Sequence, residues 1–251
     1  MQEPTMASRL AATLKPERQS PLFYQEWQDL LFLHWEYDPG SIQATLPEGL
    51  SVDTYDHRAY LGILPFRTRK ARPRFLPPLP LLSNFPQINF RTYVYNERGV
   101  PGVWFYSLEV DQRLAVALAR KIYSLPFFPA KMKVKKVRDQ INFISQRPDA
   151  PADLRSFYRY AGKGAARQAE PGSLDFFLVE RYVLFSLDSN SERLRTARVH
   201  HRPYAILSAE VPDWTESLFQ LNGFDPPGRP PDHIAMSLIV DAAIYAFQDL
   251  E

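Results

Sequence analysis

Apolar and polar residues alternate over short distances along most of the chain, which is the pattern of β-strands. Residues 27–37, WQDLLFLHWEY, predict one strand, and residues 53–67 predict another with Tyr60, Gly62 and Leu64 on one side. Residues 89–110 predict a hairpin, because β-branched and aromatic runs flank an Asn-Glu-Arg-Gly turn. Further strands are predicted at 131–145 (half-exposed), at 182–185, at 195–211 (two short strands broken near Pro203) and at 231–247 (a strand pair).

A few short helices interrupt these strands. The clearest is predicted over 111–123, with Asp111 as its cap and an apolar face at Leu114, Ala117, Leu118 and Ile122. The other predicted helices follow Asp38, Ser173 and Asp213, the last with Glu216 three residues on and Gly223 past its end. No repeat or linker divides the chain. We therefore expect a mainly β (α+β) single domain over residues 21–251, preceded by a loosely ordered lead-in over 1–20.

Composition narrows the class of protein. The 251 residues include 23 prolines but 10 glycines, which suits short strands joined by stiff loops. A net charge of +2 gives no whole-molecule attraction to nucleic acid. The chain has no cysteine, no apolar signal segment and no apolar run of the ~20 residues that a membrane helix needs. We expect a cytoplasmic protein that binds neither nucleic acid nor membrane.

Two stretches are rich in positive charge. Arg67, Arg69, Lys70, Arg72 and Arg74 precede a proline-rich loop, and without interleaved aromatic residues they favour a solvated loop over a nucleic-acid site. In a second stretch, which begins at Lys131, lysines alternate with apolar residues. This is the pattern of a strand whose lysines form the solvent-exposed face. The loop at 67–86 stays open as a surface for a protein partner.

Some polar residues are candidates for a buried site. Asn89, Arg91 and Tyr93 share one strand face, which is either exposed or lines a polar cavity. His200 and His201 fall on opposite strand faces, and with the remaining histidines they form no metal-binding signature. No phosphate-binding glycine loop, serine elbow or HExxH motif is present. We expect neither a metal nor a cofactor.

Several blocks together resemble the YqjF-like (DUF2071) family. They are residues 27–66, residues 85–120 and the motifs LVERYVLF and VHHRPYAILSAEV, and they extend the resemblance from about Trp27 to the end. That family is similar to acetoacetate decarboxylase, which implies a cone-like antiparallel β-barrel around a pocket. The decarboxylase forms a Schiff base between its substrate and a lysine. An adjacent cation lowers the pKa of that lysine, an effect for which this enzyme is the standard example.

The resemblance places two phenylalanines where the decarboxylase has its lysine pair. Tyr123-Ser124-Leu125-Pro126 corresponds to the stretch before the pair, so Phe127 and Phe128 occupy the two positions. A phenyl ring cannot form an imine, so Schiff-base decarboxylation is not expected. Lys131 is an alternative nucleophile, although it lies about 13 Å further along an extended chain. Asn89 or a neighbour stands where the family's glutamate is expected.

The resemblance therefore implies a ligand pocket without the family lysine. We expect Arg91 to anchor a carboxylate, and Asn89, Phe127, Phe128, Arg181 and His201 to complete the site. Glu180 and His200 are the candidates for proton transfer if a reaction occurs, and Glu180 has the rival role of pairing with Arg181 or another arginine. The partner expected is a small acidic or aromatic metabolite, and exposed strand edges make a homo-oligomer an open alternative.

Overall fold

The computed structural model describes residues 2–79, 82–112, 116, 124–188 and 191–250. Its helices are α1 (Met6–Thr13), α2 (Pro39–Gln43), α3 (Leu174–Val179) and α4 (Leu218–Leu221). Its strands are β1 (Phe23–Tyr37), β2 (Leu50–Val52), β3 (Ala59–Pro73), β4 (Phe85–Asn96), β5 (Pro101–Val110), β6 (Phe127–Pro129), β7 (Lys131–Val137), β8 (Gln140–Gln146), β9 (Ser156–Arg167), β10 (Val183–Leu187), β11 (Leu194–His201), β12 (Ile206–Thr215), β13 (His233–Ile244) and β14 (Gln248–Asp249). The helix predicted over 111–123 lies almost entirely outside the described residues. The expected mainly β fold with a few short helices is confirmed.

Seven strands pair into a closed ring. The order is β11-β10-β5-β4-β3-β1-β13. The ring closes because β13 also pairs with β11. The contacts of β5 with β6 and with β10 are parallel, and the other strand pairs are antiparallel. From β13 the sheet continues outward through β12, β9, β8 and β7. The ring encloses the space in which the candidate site lies.

From Leu30 to Trp35, strand β1 is buried on both faces, which explains why this part of the strand is apolar except for His34. Leu30 and Phe32 point into the core inside the ring, whereas Leu31, Leu33 and Trp35 join a second core. That second core also takes residues of β8, β9 and α4. The two cores share the ring wall, so alternate residues of β1 stabilise different layers.

Several local predictions are confirmed: two helix caps, one turn and one break between strands. The Asp38 carboxylate accepts from the Ser41 amide at 2.7 Å and begins α2, and the Ser173 hydroxyl accepts from the Phe176 amide at 3.2 Å and begins α3. The turn at Asn96–Gly99 joins β4 to β5, and Pro203 lies between β11 and β12.

Other boundaries were wrong. The helix predicted from Asp213 begins later, because β12 continues to Thr215 and Ser217 precedes α4. The predicted loop at 67–86 is shorter, since β3 extends to Pro73 and β4 starts at Phe85. The segment 131–145 is a hairpin, β7–β8, instead of one strand.

The lead-in expected to be loosely ordered contains helix α1. The Arg9 guanidinium of this helix forms two hydrogen bonds with the Asp53 carboxylate, at 2.6 and 2.7 Å. Arg198 of β11 donates to the carbonyls of Ala12 and Leu14, both at 2.8 Å. Within the described residues, no helix is long and apolar enough to span a membrane.

Candidate functional site

A cavity of about 410 Å³ lies inside the ring. Each of the seven ring strands contributes at least one residue to its wall, and β6 contributes Phe127. The wall is mainly apolar; its apolar members in the strands and in the segment before β6 are Phe23, Trp27, Leu30, Leu64, Phe66, Phe85, Phe105, Leu108, Val110, Leu125, Phe127, Leu184, Val199 and Ile244. A cavity of this size and lining fits a small, largely apolar ligand.

A bulge in β1 sets which side chains reach the cavity. Gln25 and Trp27 line it, and after Asp29 the next lining residue is Leu30, so the alternation changes phase. Asp29 has a positive φ of 52°, and the pairing of β1 with β3 shifts between Gln28 and Leu33. One extra residue in a strand turns the following side chains to the other face. The bulge therefore brings both Trp27 and Leu30 into the wall.

Described residues of the segment between β3 and β4 lie at the open end of the cavity. Leu76 and Leu79 line the cavity and are themselves exposed to solvent, and Leu82 also lies in the wall. Phe75 beside them is 86% exposed. Part of the predicted basic, proline-rich loop thus lines the cavity, and Leu76, Leu79 and Leu82 border the opening.

Strand β4 supplies a polar strip along the otherwise apolar wall. Gln87, Asn89 and Arg91 occupy alternate positions and all line the cavity. The Gln87 amide donates to the Asn89 side-chain oxygen at 2.7 Å. The Arg91 Nη2 donates to the Tyr93 hydroxyl at 3.3 Å and to the Leu178 carbonyl at 3.1 Å. The predicted shared face of Asn89 and Arg91 is therefore a cavity wall.

Arg91 has no carboxylate partner among the described residues. Its side chain is buried, the residue being 8% exposed, and its Nε makes no hydrogen bond to the part of the chain that the structure describes. Arg181, the other buried arginine of the wall, forms an ion pair with Asp53 at 2.7 Å, and Asp53 also pairs with Arg9. A buried cation without a counter-charge is costly. Arg91 is thus the wall residue best suited to receive an anion.

The structure separates the two neighbouring phenylalanines. Phe127 lines the cavity, whereas Phe128 lies outside the described wall with the Arg147 guanidinium 4.0 Å from its ring centre. Successive side chains of a strand point to opposite faces, so both residues of β6 cannot serve the cavity. Phe128 does not join the site expected from the sequence.

His201 and Glu180 lie behind the cavity wall. The His201 ring packs between Tyr182 and Tyr204, with ring centres 4.4 and 4.3 Å away, and its Nδ1 bonds the Arg202 carbonyl. Burial lowers the pKa of His201 to about 4. Glu180 accepts hydrogen bonds from the Tyr182 hydroxyl and from the Tyr204 amide, so its partners are not arginines. Burial raises the pKa of the Glu180 carboxyl.

His200 and Lys131 lie away from the described cavity wall. His200 points to the opposite face of β11 from His201, as predicted, and burial lowers its pKa. Lys131 is exposed at the start of β7, the last strand of the sheet path. The cavity-lining residues that the structure describes include three arginines and no lysine.

Sequence reasoning missed most of the apolar wall and several polar residues, among them Gln25, Gln87 and Tyr204. Trp27, Phe66 and Phe105 belong to recognisable strands, but the bulges that orient them leave no signal in the sequence. Tyr204 lines the cavity, and its hydroxyl makes no hydrogen bond to the described residues. Its position after Pro203, between two strands, gave no sign of this role.

The sequence of this chain matches one protein family and one relative over most of its length. The DUF2071 family, described as an uncharacterized conserved protein, matches residues 24–240. The uncharacterized protein YqjF of Bacillus subtilis (strain 168) is 38% identical over 208 residues, which are 82% of this chain and 84% of that protein.

Solved structures with a similar fold are much more distant in sequence. Acetoacetate decarboxylase from Legionella pneumophila has a TM-score of 0.65 at 13% identity, covering 95% of this chain and 90% of that one. An acetoacetate decarboxylase-like enzyme from Sphingomonas wittichii RW1 has a TM-score of 0.59 at 13% identity, covering 92% and 94%. The enduracididine biosynthesis enzyme MppR, complexed with pyruvate, has a TM-score of 0.60 at 13% identity, covering 93% and 92%. The chain has the acetoacetate decarboxylase-like fold and belongs to the DUF2071 family.

Proposed function

We propose that this protein binds a small amphipathic carboxylate inside the ring of strands. The observation that carries the proposal is Arg91, a buried cation on the wall of a largely apolar cavity with no carboxylate beside it among the described residues. A guanidinium group pairs well with a carboxylate, and the pair is strong where water is excluded.

The surroundings of Arg91 define the class of ligand. Tyr204 offers a hydroxyl without a partner in the described part of the chain, so it can donate to a second ligand oxygen. Phe66, Phe105 and Phe127 line the cavity and suit an aliphatic or aromatic tail. MppR, which has a similar fold, is complexed with pyruvate, itself a small carboxylate.

A thermal-shift and calorimetry series with decanoate and decan-1-ol tests this proposal. Decanoate at a hundred times its dissociation constant is expected to stabilise the fold by about 2.7 kcal/mol. The variant Arg91→Met keeps most of the side-chain volume but removes the charge, and it is expected to lose decanoate binding by at least about tenfold. Decan-1-ol binding is expected to change little in this variant.

The control variant is Arg58→Met, which removes an exposed arginine paired with Glu36 outside the cavity wall. It is expected to bind decanoate as the wild type does. Equal affinities of wild type and Arg91→Met for decanoate would contradict the role of Arg91. Equal binding of the acid and the alcohol by the wild type would contradict an anion site altogether.

A further inference from the structure

A chain of hydrogen bonds connects Arg91 to Asp175, a partly exposed carboxylate on α3. The Asp175 carboxylate contacts His233 Nε2 at 2.8 Å, and His233 Nδ1 contacts His34 Nδ1 at 2.9 Å. His34 Nε2 then contacts the Tyr93 hydroxyl at 2.6 Å, and this hydroxyl accepts from Arg91 Nη2 at 3.3 Å. The proposed anchoring role of Arg91 makes no use of the three residues beyond Tyr93.

Strand pairing and a glycine make room for this chain of hydrogen bonds in the sheet. His34 and His233 are cross-strand partners on β1 and β13, and His34 also pairs with Gly62 on β3. A Cβ atom at Gly62 would lie 2.9 Å from His34 Cδ2, closer than van der Waals contact allows. Gly62 in turn pairs with Arg91 on β4. Gly62 lies on β3, between β1 and β4, and its missing side chain leaves room for the buried His34 ring.

The partners assign the hydrogens of the chain when both histidines are neutral. Asp175 accepts from His233 Nε2, so His233 Nδ1 is an acceptor and takes the hydrogen of His34 Nδ1. His34 Nε2 is then an acceptor and takes the Tyr93 hydroxyl hydrogen. Every group of the chain has a partner in this state, and Arg91 donates to both Tyr93 and the Leu178 carbonyl.

The chain can also hold one additional proton without moving a heavy atom. The Tyr93 hydroxyl lies 2.9 Å from the Leu178 carbonyl, which provides a second acceptor for its hydrogen. Once Tyr93 donates to Leu178, its oxygen can accept from a protonated His34 Nε2. The Asp175 carboxylate at the other end stabilises the added positive charge through His233, as a carboxylate does beside a catalytic histidine.

Charges around His34 decide when that proton is held. Burial, His233 and Arg91 together lower the pKa of His34 well below its ordinary value of 6.5. Its titratable and charged neighbours are His233 on β13, and Tyr93 and Arg91 on β4. Asp175 on α3 acts through His233, and Arg167 on β9 forms an ion pair with Asp175. An anion bound to Arg91 cancels the contribution of Arg91 and adds a negative charge nearby. The pKa of His34 must therefore rise when the site is filled.

Arg91 also contributes to the lowered pKa of His201, but His201 lacks the partners for a second proton. Its Nδ1 bonds the Arg202 carbonyl, and its Nε2 has no hydrogen-bond partner among the described residues. A protonated His201 would therefore bury an unpaired N–H group, which costs free energy. The chain through His34 has an acceptor for each hydrogen.

We infer that the chain Asp175–His233–His34–Tyr93 takes up one proton when an anion binds to Arg91. The cavity then receives its ligand together with a proton, and His34, His233 and Asp175 are positioning residues that act through Tyr93. This inference rests on the proposed function, because it needs an anion at Arg91. It adds that anion binding tightens as the pH falls.

Binding of decane-1-sulfonate tests the inference, because a sulfonate stays ionised from about pH 8 to about pH 5 and any pH dependence comes from the protein. With one proton taken up per anion, the association constant is expected to rise by up to about tenfold for each unit that the pH falls. Titration calorimetry in two buffers of different ionisation enthalpy measures the proton uptake directly.

Variants along the chain separate proton uptake from general damage to the fold. Tyr93→Phe removes the hydroxyl that links His34 to Arg91, and Asp175→Asn removes the carboxylate at the partly exposed end of the chain. Both are expected to lower proton uptake and to flatten the pH profile. Tyr160→Phe is the matched control, because it also removes a buried hydroxyl, bonded to the Asp29 carbonyl at 2.8 Å, but belongs to the other core. It is expected to keep the wild-type pH profile.

The outcomes distinguish this inference from the function on which it rests. Sulfonate binding that needs Arg91 but is independent of pH, with no proton uptake, would overturn the inference and leave the proposed function standing. A pH profile that Tyr93→Phe and Asp175→Asn leave unchanged would overturn it as well. If neither decanoate nor decane-1-sulfonate binds the wild type, the proposed function fails and the inference fails with it.

Discussion

At the scale of single residues, neighbours in sequence have different roles because strand geometry sends them to different sides. Phe127 belongs to the cavity and Phe128 to the environment of Arg147. Because both residues are phenylalanine, the sequence did not show which of the two faces the cavity. Gly62 is a similar case, since its importance comes from the absence of a side chain beside His34.

Gly62→Ala is expected to destabilise the protein by about 1–3 kcal/mol, because the added methyl group overpacks the His34 ring. Urea unfolding of the variant and the wild type measures this difference. Gly40→Ala is the contrast, and a smaller loss is expected: its Cβ would lie 3.1 Å from an oxygen of Asp38, an exposed side chain that can turn away at the expense of its bond to the Ser41 amide. Similar stabilities of the two variants would contradict the crowding at Gly62.

Arg147→Met is expected to cost about 3–5 kcal/mol, because it leaves the Glu109 carboxylate buried without its cation. Arg147 Nε donates to Glu109 at 2.6 Å, and the two side chains are 6% and 2% exposed. Combining this change with Glu109→Gln is expected to recover part of the loss, which denaturant unfolding measures. Lys163→Met is the contrast: this lysine pairs with Glu210 at side-chain exposures of 59% and 58%, and its loss is expected to cost less than about 1 kcal/mol.

At the scale of elements, the sequence predicted the kinds of element better than their ends. β3 continues through the predicted loop to Pro73, where it still pairs with Phe23 of β1. β12 continues to Thr215, because its partner β9 extends that far. Cross-strand partners set these ends, and such partners are distant in sequence. A local pattern therefore could not place them.

Burial of the segment before α4 makes stability depend on pH through Glu216. Burial raises the pKa of this carboxyl from 4.5 to about 7, against the lowering effect of hydrogen bonds from the Phe219 and Leu218 amides. Folding therefore favours the protonated form. The resulting stabilisation is complete below the unfolded value of about 4.5 and is lost as the pH rises to about 7.

Glu216→Gln is expected to remove this loss, since a glutamine stays neutral at every pH. Relative to wild type, the variant is expected to gain about 1–3 kcal/mol above pH 7 and little at low pH. Urea unfolding across the pH range measures the difference. Glu210→Gln, at an exposed position of β12, is expected to follow the wild-type profile. Parallel profiles for wild type and Glu216→Gln would refute the role of burial.

At the scale of the whole molecule, the fold is shared with acetoacetate decarboxylase although sequence identity is 13%. A ring of strands can keep its shape while the residues inside it change, so the fold does not determine the chemistry. In the described wall, arginines and aromatic rings surround the cavity without a lysine. An arginine stays protonated and cannot supply the amine that an imine needs.

Borohydride reduction in the presence of pyruvate is expected to leave the mass of the wild-type protein unchanged. Phe127→Lys is the matched test, because it places an amine on the cavity wall, where burial is expected to lower its pKa. This variant is expected to gain the mass of one reduced pyruvate adduct, which intact mass spectrometry detects. A stoichiometric adduct on the wild type would show that a lysine of this chain forms an imine after all.

The sequence by itself determined the mainly β class, the caps of α2 and α3, the hairpin at Asn96 and the family, because these depend on local patterns and on motif order. It also predicted that Asn89 and Arg91 share a face, since strand alternation is local. The tertiary structure decided that this face lines a cavity, that Arg91 lacks a carboxylate among the described residues while Arg181 has one, and that Asp175, His233, His34 and Tyr93 meet. The members of that chain come from α3, β13, β1 and β4. The pairing of β4, β3, β1 and β13 side by side in the sheet, together with the contact of Asp175 on α3 with His233, brings them within hydrogen-bond distance.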